Sequence, residues 1–289
     1  MRKLTLAILC CAFTAGTVMA QDEEPTNKNG KPLLPDAGDF GVGVNLVPMF
    51  NWMGNMFNGN NNNTYAGQNK FVNFFNNTSI FGKYMLTENS AIRATFGFNF
   101  NNFQNSNYVI DDNANHPDSL VMDHVTVKNH NFTFAVGYEM RRGGRLQGIF
   151  GGDLLLMTGR ANDLDYTYGN AFGSTNIAPT TTTWNGVGNY VTEGPQAERM
   201  VYQEGAKTFG IGLRPYVGME YYVAPKLSLG LEFGWNIMYN QTSETNARME
   251  RYETSSGNTI TLDNKVAGNR RWSANTDNLN GAIFMMFYF

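Results

Sequence analysis

Between residues 91 and 102 the chain alternates two kinds of side chain: Ile92, Ala94, Phe96, Phe98 and Phe100 fall on one side, and Arg93, Thr95, Gly97, Asn99 and Asn101 on the other. A period of two marks a β-strand with two unlike faces. The pattern returns in residues 39–50, 78–86, 131–140, 146–157, 209–222, 227–239 and 279–289, where it is clearest in Phe132, Phe134, Val136, Tyr138 and Met140 and in Leu227, Leu229, Leu231, Phe233, Trp235, Ile237 and Tyr239. The least regular segment is 146–157, because Leu154, Leu155, Leu156 and Met157 are apolar on both faces. The links alternate too. Residues 87–90, 141–145 and 224–226 are tight turns, whereas 51–77, 103–130, 158–208 and 240–278 are long. Strands joined in this way run up and down, with short turns at one rim and long loops at the other.

The final segment decides how the sheet ends. It sets Leu279, Gly281, Ile283, Met285, Phe287 and Phe289 against Asn280, Ala282, Phe284, Met286 and Tyr288. An unpaired apolar edge invites aggregation, and closing the sheet on itself removes it. A tilted strand of roughly 9–11 residues crosses a bilayer. The eight segments therefore predict an all-β fold, a closed antiparallel transmembrane β-barrel occupying residues 39–289. Residues 259–262 offer a further strand, which leaves a count of ten open.

A soluble, lipocalin-like barrel would point its apolar face inward and cover the other with charge. Here the second face is mostly glycine and other small residues, with a few spaced charges: Lys83, Arg93, Glu139, Asp153, Arg214, Glu220 and Glu232. An eight-stranded bore is just wide enough for side chains to fill it. Charges buried there must pair, so Arg93 with Glu139 and Arg214 with Glu232, each on adjacent strands, predict a salt-bridge network in a plugged lumen.

Ahead of the barrel, residues 1–20 carry Arg2 and Lys3, an apolar run from Leu4 to Phe13, and Val18, Met19 and Ala20 before an acidic start. This is the pattern of a secretory signal peptide cleaved after Ala20. Cys10 and Cys11 are the chain's two cysteines, and the residues before each are too bulky for a lipoprotein box. Cleavage leaves a chain with no disulfide and no thiolate metal site. It also leaves 19 basic against 24 acidic residues, net −5 from the formal −3, which argues against nucleic acid as a partner. Residues 21–38, with Pro25, Pro32 and Pro35, read as an extended, mobile periplasmic leader.

A terminal Phe289 preceded at every second position by Phe287, Met285 and Ile283 resembles the C-terminal assembly signal of Gram-negative outer-membrane β-barrel proteins. The architecture resembles small barrels of the OmpA/OmpX/OmpW kind, although no motif matches any one of them. The resemblance implies an outer-membrane location, with the lipid bilayer and the outer-membrane assembly machinery as partners. Such barrels serve as envelope scaffolds, adhesins, solute conduits or lipid-modifying enzymes, so the fold leaves the function open.

Chemistry on the loops is sparse. His116, His124 and His130 gather in 103–130 with Asp111, Asp112 and Asp123. Some outer-membrane proteases pair Asp-Asp with Asp-His across a barrel mouth, which singles out Asp123 and His124. Those enzymes draw their groups from separate strands, whereas this cluster reads as one flexible loop. Two imidazoles without a third fixed ligand do not make a metal site. Asp118, Ser119 and Leu120 resemble the Asp-Ser/Thr-aliphatic triplet glycosylated on Ser or Thr in some bacterial envelopes. The Asn-rich run 58–63 reads as a loop tip. Loop 158–208 brings Tyr166, Tyr168, Phe172, Trp184, Tyr190 and Tyr202, and loop 240–278 brings Arg248, Arg251, Arg270, Arg271 and Trp272. These residue types build interaction hot spots and stack on sugars, and they also pack loops together. The expectation is a non-catalytic structural and surface-interaction scaffold, without cofactor or metal, that meets a surface glycan or protein through loops 158–208 and 240–278. The alternative is a narrow passive channel for small or hydrophobic solutes, and the third reading is a lipid-modifying enzyme or protease.

Overall fold

The computed structural model describes residues 25–26, 29–46, 80–116, 118–276 and 283–289. The expected signal peptide 1–20, the Asn-rich run 58–63 and the expected strand ends 47–50 and 279–282 lie outside the described residues. The fold is all-β. In chain order the strands are β1 (Phe40–Asn45), β2 (Ile80–Thr87), β3 (Ser90–Ile110), β4 (Leu120–Gly143), β5 (Leu146–Thr167), β6 (Thr180–Trp184) and β7 (Tyr190–Pro195). There follow β8 (Glu198–Gln203), β9 (Lys207–Ala224), β10 (Leu227–Thr242), β11 (Thr245–Glu253), β12 (Asn258–Val266), β13 (Asn269–Thr276) and β14 (Ile283–Tyr288).

Eight of them close a ring: β1, β2, β3, β4, β5, β9, β10 and β14, each antiparallel to the next. The seam joins β14 to β1, with Val42 opposite Phe287. Its last rung is a reciprocal pair, Phe40 N–H to Phe289 O and Phe289 N–H to Phe40 O, both 2.9 Å. The ring is thus eight-stranded, and residues 259–262 belong to β12, outside it. At one rim the links are the two-residue turns 88–89, 144–145 and 225–226. Lys226 takes the left-handed conformation that a tight turn demands (φ 57°).

Above the other rim the described long links, 103–130, 158–208 and 240–276, are largely sheet. The register of β3 with β4 runs without a break from Ser90 opposite Met140 to Ile110 opposite Leu120. Residues 103–130, expected as a loop, are therefore mostly strand, with the irregular tip at 111–119. The physical reason is hydrogen bonding: a long antiparallel hairpin satisfies its own backbone, and in water it needs no apolar face. Beyond the ring β8 joins β5 through Leu164 and Asp165, β11 pairs β8, β12 pairs β11, and β13 lies along β10. The hairpin β6–β7 covers the inner face of this extension, where Val125, Val127, Leu164 and Trp184 form a small core.

The leader is also corrected. Leu33 is only 3% exposed and packs at the short-turn rim with Met85, Ile149, Tyr222, Met286 and Tyr288. Its carbonyl accepts from Lys226 N–H (3.0 Å), Gly38 N–H donates to Met85 O (2.8 Å), and Lys226 Nζ bridges Asp39 (2.7 Å) and Asp36 (3.4 Å). An apolar side chain entering an apolar mouth holds a segment whose prolines would otherwise keep it extended.

Candidate functional site

Alternation carries straight through the ring. Phe96, Phe134, Leu231 and Phe287 face outward and are exposed, while Lys83, Glu139, Glu220 and Asp153 are buried inside. One register row explains why the charges meet: Gly41, Lys83, Arg93, Gly137, Asp153 and Arg214 are successive cross-strand partners. Gly137 makes the room. A Cβ there would run into the Asp153 carboxylate and the Gly152 carbonyl.

All seven charged residues singled out in the sequence join one network. Arg93 grips Glu232 through Nη1 (2.7 Å) and Nη2 (3.2 Å), and also approaches Asp153 (3.2 Å) and Glu139 (3.4 Å). Arg214 bridges Asp153 (3.0 Å) and Glu232 (2.6 Å). Lys83 bridges Glu139 (2.8 Å) and Glu220 (3.1 Å). The expected pairs Arg93 with Glu139 and Arg214 with Glu232 are both made.

An eighth member lies within residues 141–145, which the sequence pattern predicts to be a turn. Arg141 belongs to β4, points inward and pairs with Glu139 (3.1 Å) and with Glu220. With it, the cations Lys83, Arg93, Arg141 and Arg214 balance the anions Glu139, Asp153, Glu220 and Glu232. Neutral groups complete the set. Tyr288 OH donates to Glu220 (2.8 Å), Tyr216 OH donates to Glu139 (3.3 Å), Ser228 Oγ donates to Glu220, and the Arg93 guanidinium lies 4.1 Å from the Tyr216 ring centroid. A cluster paired and charge-balanced in this way fixes the geometry of the interior.

The histidines do not converge. Asp123 and His124 lie on β4, so their side chains leave on opposite faces. Asp123 is buried and accepts from Gly169 N–H (2.9 Å) and Thr182 N–H (2.7 Å), pinning the β6–β7 hairpin. His124 faces outward beside Gln104 (2.9 Å) and Ser106 (2.7 Å), His130 lies between Phe100 and Phe132, and His116 is at the exposed tip. Among the described residues no three His, Cys, Asp or Glu side chains form a metal-binding group. Ser119 is half-buried at the base of the tip, its carbonyl accepting from Asp111 N–H (2.9 Å).

Part of the loop chemistry is internal packing. Arg199 lies against Tyr168 (4.2 Å) and Phe172 (4.7 Å) and pairs with Glu250 (2.7 Å). Tyr166 stacks on Tyr168, whose hydroxyl donates to Met200 O (2.6 Å). Burial pushes the Tyr166 phenol up to about 12 and Tyr168 further, so both stay neutral. Trp272, by contrast, is 74% exposed. On β14, Ile283, Met285 and Phe287 occupy the outer face, and Phe289 meets Phe40 edge-on at 5.6 Å.

Ring closure and a filled, charge-balanced interior define a closed eight-stranded antiparallel β-barrel, consistent with an outer-membrane-type barrel. No protein-family model matches the chain, and neither a curated protein nor a solved structure matches it.

Proposed function

We propose that this chain is a non-conducting outer-membrane barrel of Gram-negative type, akin in architecture to the OmpA/OmpX/OmpW kind, that acts as a surface-interaction scaffold. Residues 1–20 direct export, the short-turn rim and the docked leader face the periplasm, and the extended sheet stands outside the cell. The observation that carries this reading is the pairing of an apolar outer face with an ion-paired interior. On β10 the outward run from Leu227 to Tyr239 covers about 12 residue steps; at about 3.3 Å per step and a tilt near 45° it spans roughly 28 Å, close to a bilayer's apolar thickness.

With the bore filled, what remains to act is the surface above the membrane. Residues 158–208 and 240–278 supply most of it and would meet a glycan or a protein there. The extended sheet gives that surface rigid support, which suits recognition.

Planar-bilayer recording tests the proposal. The purified protein inserts without steady unitary conductance, as a filled bore requires; reproducible steps from the wild type would replace the scaffold with the channel reading.

A further inference from the structure

Above the ring most basic side chains hold a carboxylate. Lys128 pairs with Asp165 (3.5 Å), Arg160 with Asp163 (2.9 Å) and Glu204 (3.1 Å), Arg248 with Asp263 (3.0 Å), and Arg251 with Glu198 (3.8 Å). Lys207, Lys265, Arg270 and Arg271 pair with none among the described residues. Lys265 stands on β12 at the far edge of the sheet, and the other three crowd one sector where β9, β10 and β13 leave the ring.

Register fixes the layout of that sector. Phe209, Gln241 and Arg270 are cross-strand neighbours, and so are Ile211, Tyr239 and Trp272 one outward step lower. Lys207 is two residues before Phe209 on the same face and sits beside Ser243, whose hydroxyl accepts from its N–H (3.0 Å). Arg271, opposite Asn240, takes the inner face. Glu204, the acid nearest Lys207 in sequence, is held by Arg160 (3.1 Å), and Glu244, next to Ser243, makes no ion pair among the described residues. Lys207 and Arg270 thus stand two strands apart and one outward step out of line, with Ser243 and Gln241 between them, roughly 12 Å from backbone to backbone. Directly beneath lie Tyr239 and Trp272, their rings 5.0 Å apart and level with Ile211, and beneath those the aliphatic Leu213 and Ile237.

We propose that Lys207 and Arg270 form a site for the phosphate-bearing headgroup of an outer-leaflet lipid, with Trp272 and Tyr239 at its carbonyl level and the aliphatic face under its chains. The inference rests on the membrane reading above. The order cation, amphipathic aromatic, aliphatic along the strand repeats the order headgroup, interface, acyl chain in a lipid. Ammonium and guanidinium groups bind phosphate by charge-assisted hydrogen bonds. A soluble anion would use the upper half of the site alone.

Native mass spectrometry of the full barrel in detergent reads the site. Two probes are added separately: a bis-phosphorylated disaccharide lipid and the same lipid stripped of phosphate. The wild type retains the phosphorylated lipid about tenfold better, the Lys207→Glu/Arg270→Glu protein loses that preference, and Lys265→Glu keeps it. Equal retention of both lipids by the wild type, or an undiminished preference in the double variant, overturns the site. Displacement by equimolar inorganic phosphate also overturns it, in favour of a soluble anion. A separate check isolates the membrane reading: a wild type that stays monodisperse without detergent removes that reading itself, whereas a detergent-dependent barrel lacking phosphate preference removes the lipid site alone.

Discussion

Replacing Arg93 by methionine puts the interior network to a quantitative test. Arg93 is buried, and its guanidinium serves Glu232, Asp153 and Glu139 together. Removing it leaves three cations facing four anions inside the barrel. Breaking a buried pair in this way costs about 3–5 kcal/mol, because the orphaned carboxylate stays desolvated. With a urea dependence of about 2 kcal/mol per molar, the unfolding midpoint falls by about 2 M. Glu232→Gln alone unbalances the cluster in the opposite sense. The double variant restores parity, since Arg214 still holds Asp153 and Lys83 and Arg141 still hold Glu139 and Glu220. It is therefore expected to cost less than the sum of the two single changes by at least about 2 kcal/mol. Urea titration of the refolded protein in lipid, followed by tryptophan fluorescence, measures all four corners of the cycle. Strict additivity, or an Arg93→Met barrel as stable as the wild type, would refute a network held by mutual neutralisation.

Three other outcomes are expected. Gly137→Val forces a side chain into the Gly152 carbonyl and the Asp153 carboxylate, so the folded yield in lipid should collapse or the midpoint fall by the equivalent of about 1–3 kcal/mol, while Gly173→Val, where a Cβ meets nothing within 4 Å, should change neither. Leu33→Ala empties the apolar seat at the short-turn rim and costs about 2–3 kcal/mol of local docking, read as faster hydrogen exchange at the Gly38 amide, which donates to Met85 O; equal exchange in wild type and variant would show that the leader is not seated. For Asp112, burial raises the carboxyl pKa, but donation from Thr180 N–H (2.7 Å) and the Asn176 amide (2.9 Å) outweighs it and holds the group below its ordinary 3.8. Its contribution to stability is accordingly present above that value and lost as pH falls through the lowered one. A carbon-detected NMR titration finding the Asp112 midpoint at or above 3.8 would contradict the clasp.

Much of the ring could be read from the sequence, because each ring strand has an exposed apolar face and an inward small or charged one and so writes a period of two. Phe96, Phe134 and Leu231 against Arg93, Glu139 and Glu232 gave both the strands and the inward set. Above the ring both faces meet water or another polar layer, and the code fades: in 121–127 the buried residues Asp123, Val125 and Val127 mix charge with aliphatic character, so the hairpin read as a loop. The placement of Arg141 failed for a smaller reason, a turn boundary set a few residues too early. Two signals were present: Arg141 follows Glu139 by two, and three cations against four anions left one carboxylate unmatched. The leader concealed its docking behind three prolines, although Leu33 and Leu34 between Pro32 and Pro35 were the apolar pair to notice. The clustering of Lys207 with Arg270 depends on a register across three strands, which no local pattern reports.

Spin labels on single cysteines along β10 give the most direct test, with Cys10 and Cys11, the sequence's two cysteines, replaced by serine so that neither competes. In reconstituted vesicles, labels at Leu229, Leu231 and Phe233 should be relaxed strongly by oxygen and weakly by a water-soluble nickel complex, while a label at Asn236, half-buried on the inner face, should be shielded from oxygen. Strong nickel relaxation at Leu231, or no alternation along the strand, would contradict a barrel that turns its apolar face to lipid and fills its interior with paired charge.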